Sequence, residues 1–107
     1  MPQQSAPQEP AAIAPGLVEV TDDVLSGDVW ERPGLSPRDR SLVTVTALTV
    51  LYRGEQLGHH LRVALDDGLS VEELSEAITH LAFYAGWPNA MTAITQLKKI
   101  TDERDAA

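Results

Sequence analysis

Cysteine is absent from all 107 residues, and that one absence removes disulfides, thiolate nucleophiles and cysteine-bound metals or clusters together. Cations are scarce as well: eight lysines and arginines face sixteen acids, for a formal net charge of −8. Contact with a phosphate backbone wants a basic surface, so nucleic-acid binding is not expected. The apolar run between Arg40 and Arg53 is twelve residues long, short of the roughly 20 that a membrane-spanning helix needs; no transmembrane run or signal-peptide pattern appears, which makes cytoplasm the default expectation and a membrane partner an unexpected one. Internal repeats are lacking too.

What is there begins with charge that is unevenly spread. Between Arg32 and Arg62 lie five arginines (32, 38, 40, 53 and 62) against Asp39 and Glu55, a local balance of +3, while the rest of the chain holds three cations and fourteen acids, or −11. A small anionic ligand would be drawn to such a zone. Inside it, the residues between Arg40 and Arg53 carry no charge. Val43-Thr44-Val45-Thr46 alternates like a strand, but Ser36, Pro37 and Asp39 form a helix start, the run outlasts an ordinary strand, and Gly54 stands where a helix would stop. The spacing predicts a central helix over Pro37–Tyr52 that is apolar on all sides and therefore enclosed by neighbours or by other copies of the chain.

Around that helix the other elements follow in order. Residues 1–16, rich in Pro, Gln and Ala, read as a flexible tail. Thr21–Trp30 reads as a short helix capped by Thr21, Glu55–Asp67 as a second long helix stopped by Gly68, and Ser70-Val71-Glu72-Glu73 as a capping box that opens a helix ending near Ala85-Gly86. Pro88 opens the last helix, which frays over residues 104–107. One helical domain over 17–103 is expected: all-α and antiparallel, a short N-terminal helix plus four main helices.

Three histidines supply the titrating side chains. His60 shares a helical face with Arg53 and Gln56, at seven and four residues' distance. His59 points about 100° away from it, so the two cannot chelate from one face and no metal site is expected. His80 shares a face with Glu73, Glu76 and Tyr84, a spacing that suits either an acid catalyst or an ordinary solvated cluster. Trp30 and Trp87 read as core or interface aromatics.

The blocks RPGLSPRDRSLVTVTALTVL and HLRVALDDGLSVEELSEAITHLAFYAGWPNA, in this order and at this spacing, resemble the carboxymuconolactone decarboxylase family within the AhpD-like superfamily, over about Asp28 to Leu97. The resemblance implies an all-helical fold assembling into trimers or hexamers, with pockets close to subunit interfaces. In the peroxidase branch of that superfamily a Cys-x-x-Cys pair precedes the histidine; here Arg53 and Gln56 stand at those positions and Ser41 at that of the relay glutamate, so thiol chemistry is not expected. The decarboxylase branch resembles this chain better. Its namesake reaction needs no metal or organic cofactor, and it implies a cofactor-independent carboxy-lyase acting on a small unsaturated lactone or related anionic carboxylate. His60 and His80 are then the expected catalytic residues, with Arg40, Arg53, Gln56 and Tyr84 as the expected substrate-binding ones. The chain departs from the family pattern at Gln56 and His59, which leaves open a cofactor-free isomerase or cyclase and a non-catalytic oligomeric binding protein of the same fold.

Overall fold

A computed structural model describes residues 9–106. Every regular element among them is helical, with five α-helices and no strand, as the hydrophobic spacing predicts. The chain divides between Pro37 and Arg38 into two compact units.

In the first unit α1 spans Pro15–Val20 and runs directly into a π-helical turn over Thr21–Ser26. Proline at the first helical position explains the early start, because its fixed φ suits a helix and its missing N–H has no partner to lose there. The sequence predicts a helix beginning at a Thr21 cap; instead Thr21 lies within the run, and its hydroxyl donates back to the Leu17 carbonyl at 2.7 Å, the local bond that hydroxyl residues make inside helices. Of the stretch expected to be a tail, residues 1–8 lie outside the described residues, whereas Glu9–Ala12 form a 3₁₀ turn. At Gly27 an added Cβ would sit 2.8 Å from the Asp23 carbonyl oxygen and 2.9 Å from that of Asp22, so the close of the π turn admits no side chain. A second 3₁₀ turn, Val29–Glu31, buries Trp30.

The second unit holds α2 (Pro37–Val50), α3 (Gly54–Asp66), α4 (Val71–Ala85) and α5 (Trp87–Ala106). α5 is the element on which both α3 and α4 pack. It buries Ala90, Ala93, Leu97 and Ile100 along one stripe. Two of these are alanines, and small side chains let the neighbouring helices approach closely. Against that stripe lie Leu57, Leu61 and Ala64 of α3 and Leu74, Ile78 and Ala82 of α4, all in one apolar cluster.

The central helix contributes less to this core than its composition suggests. α2 buries only Ser41, Val45 and Thr49, a stripe at four-residue spacing with a single aliphatic member. Val43 remains 60% exposed, Val50 46% and Leu51 60%. Enclosure on all sides is therefore not what one chain provides. The two threonines of the strand-like alternation, Thr44 and Thr46, and Thr49 after them resolve in the same way: each donates to the carbonyl four residues back, at 2.8 Å.

Two turns have matching geometry. After α3, Leu69 N–H donates to Ala64 O at 3.0 Å and Gly68 N–H to Leu65 O at 3.2 Å, with Gly68 at φ +105°; this is a Schellman stop. After α2, Arg53 N–H donates to Leu48 O at 2.9 Å and Tyr52 N–H to Thr49 O at 3.2 Å, with Tyr52 at φ +60°. A tyrosine thus occupies the left-handed position that glycine usually takes, and Gly54, expected as the stop, is the first residue of α3. The side-chain amide of Asn89, just inside α5, donates to the Thr49 and Val50 carbonyls at 3.1 Å, satisfying acceptors that the end of α2 would leave open.

Candidate functional site

A polar cavity among the described residues begins with the α4 cap. Ser70 Oγ accepts from the Glu73 N–H at 3.0 Å while Glu73 Oε1 accepts from the Ser70 N–H at 3.0 Å, the complete capping box that the sequence predicts. This fixes the first turn of α4, and the next two turns place Glu76, Ala77 and His80 along the same side as Glu73. Arg38 and Leu42, one turn apart on α2, face them, and Leu69 closes the apolar floor. Together these residues line a cavity of about 410 Å³, within the range typical of small-molecule sites.

Its electrostatics are mixed. Arg38 Nη2 pairs with Glu73 Oε2, and Arg38 Nη1 lies 3.4 Å from Asp39 Oδ1. The Ser70 N–H is the main cause holding the Glu73 carboxyl below the usual carboxylate range; slight burial opposes it, and the Arg38 charge adds to it. A ligand entering here meets one guanidinium, two carboxylates and one imidazole above an aliphatic floor. That set can orient an anion and move a proton.

The expected site residues are distributed unequally. His80 lines the cavity, and its ring stacks on that of Tyr84 with centroids 5.0 Å apart. Tyr84 itself is 78% exposed. The other four, Arg40, Arg53, Gln56 and His60, are not among the lining residues. Arg53 is the N-cap residue of α3, Gln56 is exposed in the first turn of that helix, and Arg40 is half-buried on α2. His60, also half-buried, packs edge-on against His59 with ring centroids 5.1 Å apart. Burial, with a smaller contribution from the charge of His59, pushes the His60 imidazole down to about 4. It is therefore neutral at physiological pH, a poor proton donor there but a possible hydrogen-bonding group. Arg38 was visible in the sequence only as one of five arginines, and its pairing with a residue 35 positions away depends on how α2 lies beside α4. Among the described residues no three His, Asp or Glu side chains gather so as to hold a metal ion, and no helix is long and apolar enough to cross a membrane.

Residues 15–99 match the carboxymuconolactone decarboxylase family. The chain belongs to that family. Among characterised members, it is 40% identical over 74 residues to a 4-carboxymuconolactone decarboxylase of Acinetobacter baylyi, covering 69% of this chain and 55% of that one. It is 35% identical over 77 residues to a nitrosuccinic acid decarboxylase of Metarhizium robertsii, covering 72% of this chain and 54% of that one. The chain thus spans about half the length of the curated relatives it matches.

Proposed function

We propose that this member of the carboxymuconolactone decarboxylase family is a cofactor-independent carboxy-lyase whose substrate is a small dicarboxylic acid bearing an electron-accepting group. The observation that supports this most is that two relatives at 35–40% identity are both named as decarboxylases, although of different compounds. Those compounds share a skeleton. Each is a succinic acid whose second carbon also bears an acceptor, a nitro group in one and an unsaturated lactone in the other. In either, the bond from that carbon to its carboxylate breaks, CO2 leaves, and the electron pair passes into the acceptor's oxygens. A proton then adds to carbon.

Such a reaction asks a protein for a cation to hold the carboxylate that stays and for an acid to return the proton. The Arg38, Glu76 and His80 lining offers both above an aliphatic floor, where losing charge as CO2 is favoured. His80 is proposed as the proton donor in preference to His60, whose burial keeps it neutral. The exposed apolar stripe on α2, together with Phe83, Tyr84, Trp87 and Met91, all more than half exposed, supports a homo-oligomer of three or six subunits in the same reading.

Release of CO2 from 2-nitrosuccinate and from 4-carboxymuconolactone tests the assignment. Turnover of at least one of them, with unsubstituted succinate inert, is expected. Consumption of substrate without CO2 would move the protein to the isomerase or cyclase class, and binding without turnover to the class of non-catalytic binding proteins.

A further inference from the structure

Arg38 occupies a position that helix energetics does not explain. It lies in the first turn of α2, where the macrodipole disfavours a cation, and its side chain is directed to the cavity wall that α4 completes. Its main partner there is divided in an informative way: one Glu73 oxygen accepts from the Ser70 N–H, and the other receives the Arg38 guanidinium. We propose that Arg38 is the carboxylate-binding residue of this site and that Glu73 is a built-in stand-in, holding the guanidinium toward the cavity until a ligand carboxylate displaces it.

Three features make the exchange feasible. The pair is largely solvated, with 40% of the Arg38 and 46% of the Glu73 side chain exposed, and exposed ion pairs contribute little; giving it up costs little. After displacement Glu73 keeps its bond to the Ser70 N–H, so no buried charge is left stranded. The guanidinium has five N–H donors in a planar fork that suits bidentate capture of a carboxylate, and among the described residues its ion pairs are with Glu73 and Asp39. Glu76, one turn along α4, disfavours a second anion near it, so the ligand's other carboxylate is directed away from Glu76. Specificity for one end of a dicarboxylate would follow.

This inference rests on the dicarboxylic-acid reading above, but its test does not require turnover. Succinate, which lacks an acceptor and should not react, is titrated calorimetrically into the full chain and into two variants. Arg38→Gln should weaken binding by about tenfold or more, the scale of one charge-assisted pair. Glu73→Gln keeps a side chain that can complete the capping box while releasing the guanidinium, and should tighten binding by about two- to fivefold. An ion pair with a structural role alone predicts that both variants lose stability and that neither alters affinity. Weaker binding in Glu73→Gln, unchanged binding in Arg38→Gln, or no succinate binding by the wild-type protein each overturns the proposal. Binding that depends on Arg38, found alongside an absence of CO2 release from both acceptor-substituted acids, would retain this inference and remove the decarboxylase reading instead.

Discussion

At the scale of single residues, the two candidate histidines separate by environment. His60 has a folded-state value of about 4, against an ordinary imidazole value near 6.5. Between those values the unfolded chain binds more protons than the folded one, so stability falls as pH drops through that window and gains nothing from this group above it. His60→Gln should flatten the acid-side loss of stability between about pH 6.5 and 4, measured by urea unfolding at a series of pH values; an unchanged slope would mean that the imidazole is solvated. His80→Gln, by contrast, should lower kcat by roughly 10²-fold or more if His80 delivers the proton. Should His60→Gln prove the slower enzyme at unchanged stability, the catalytic role returns to α3.

At the scale of elements, legibility in the sequence followed the range of the interactions. The α4 start was fully readable because Ser70 and Glu73 complete it within three residues of each other. Removing that cap by Ser70→Ala should cost about 1 kcal/mol, or a fall in Tm of roughly 4–8 °C, read by thermal unfolding. The end of α2 was not readable, since a tyrosine at φ +60° obeys no local preference and is held by what surrounds it. Nor was the Thr21 start, where Pro15 had already opened a helix. Of the site, His80 with its Glu73 and Glu76 face could be read from i+3 and i+4 spacing on one helix. Arg38 could not, because its role depends on two helices meeting, and hydrophobic periodicity does not say which helices meet. The same limit applies to α2: a run without charges announces that it will be covered, not by what.

At the scale of the whole molecule, Val43 and Val50 on α2, Leu51 just after it and the Phe83–Trp87 aromatic pair, whose ring centroids lie 6.0 Å apart, leave much apolar surface open to water in one chain. Exposed patches of this kind mark interaction surfaces. Light scattering at micromolar concentration is expected to find three or six subunits, and Val43→Glu should shift the population toward smaller species while preserving helical circular dichroism; a wild-type monomer would refute the assembly. Peroxide reduction through thiols has no residue to proceed by, as cysteine is absent, and a coupled assay should register only background.

The dependence of both α3 and α4 on α5 has a further consequence, in time rather than space. During synthesis Leu57, Leu61, Leu74 and Ile78 leave the ribosome before the stripe that will cover them, and at about 5–20 residues per second the interval from Leu57 to Ile100 lasts roughly 2–9 s. Through those seconds the nascent helices carry aliphatic faces that α5 has yet to cover. A stalled chain ending at Ala90 should therefore be protease-sensitive and bound by chaperones, and one extended past Ile100 should be neither.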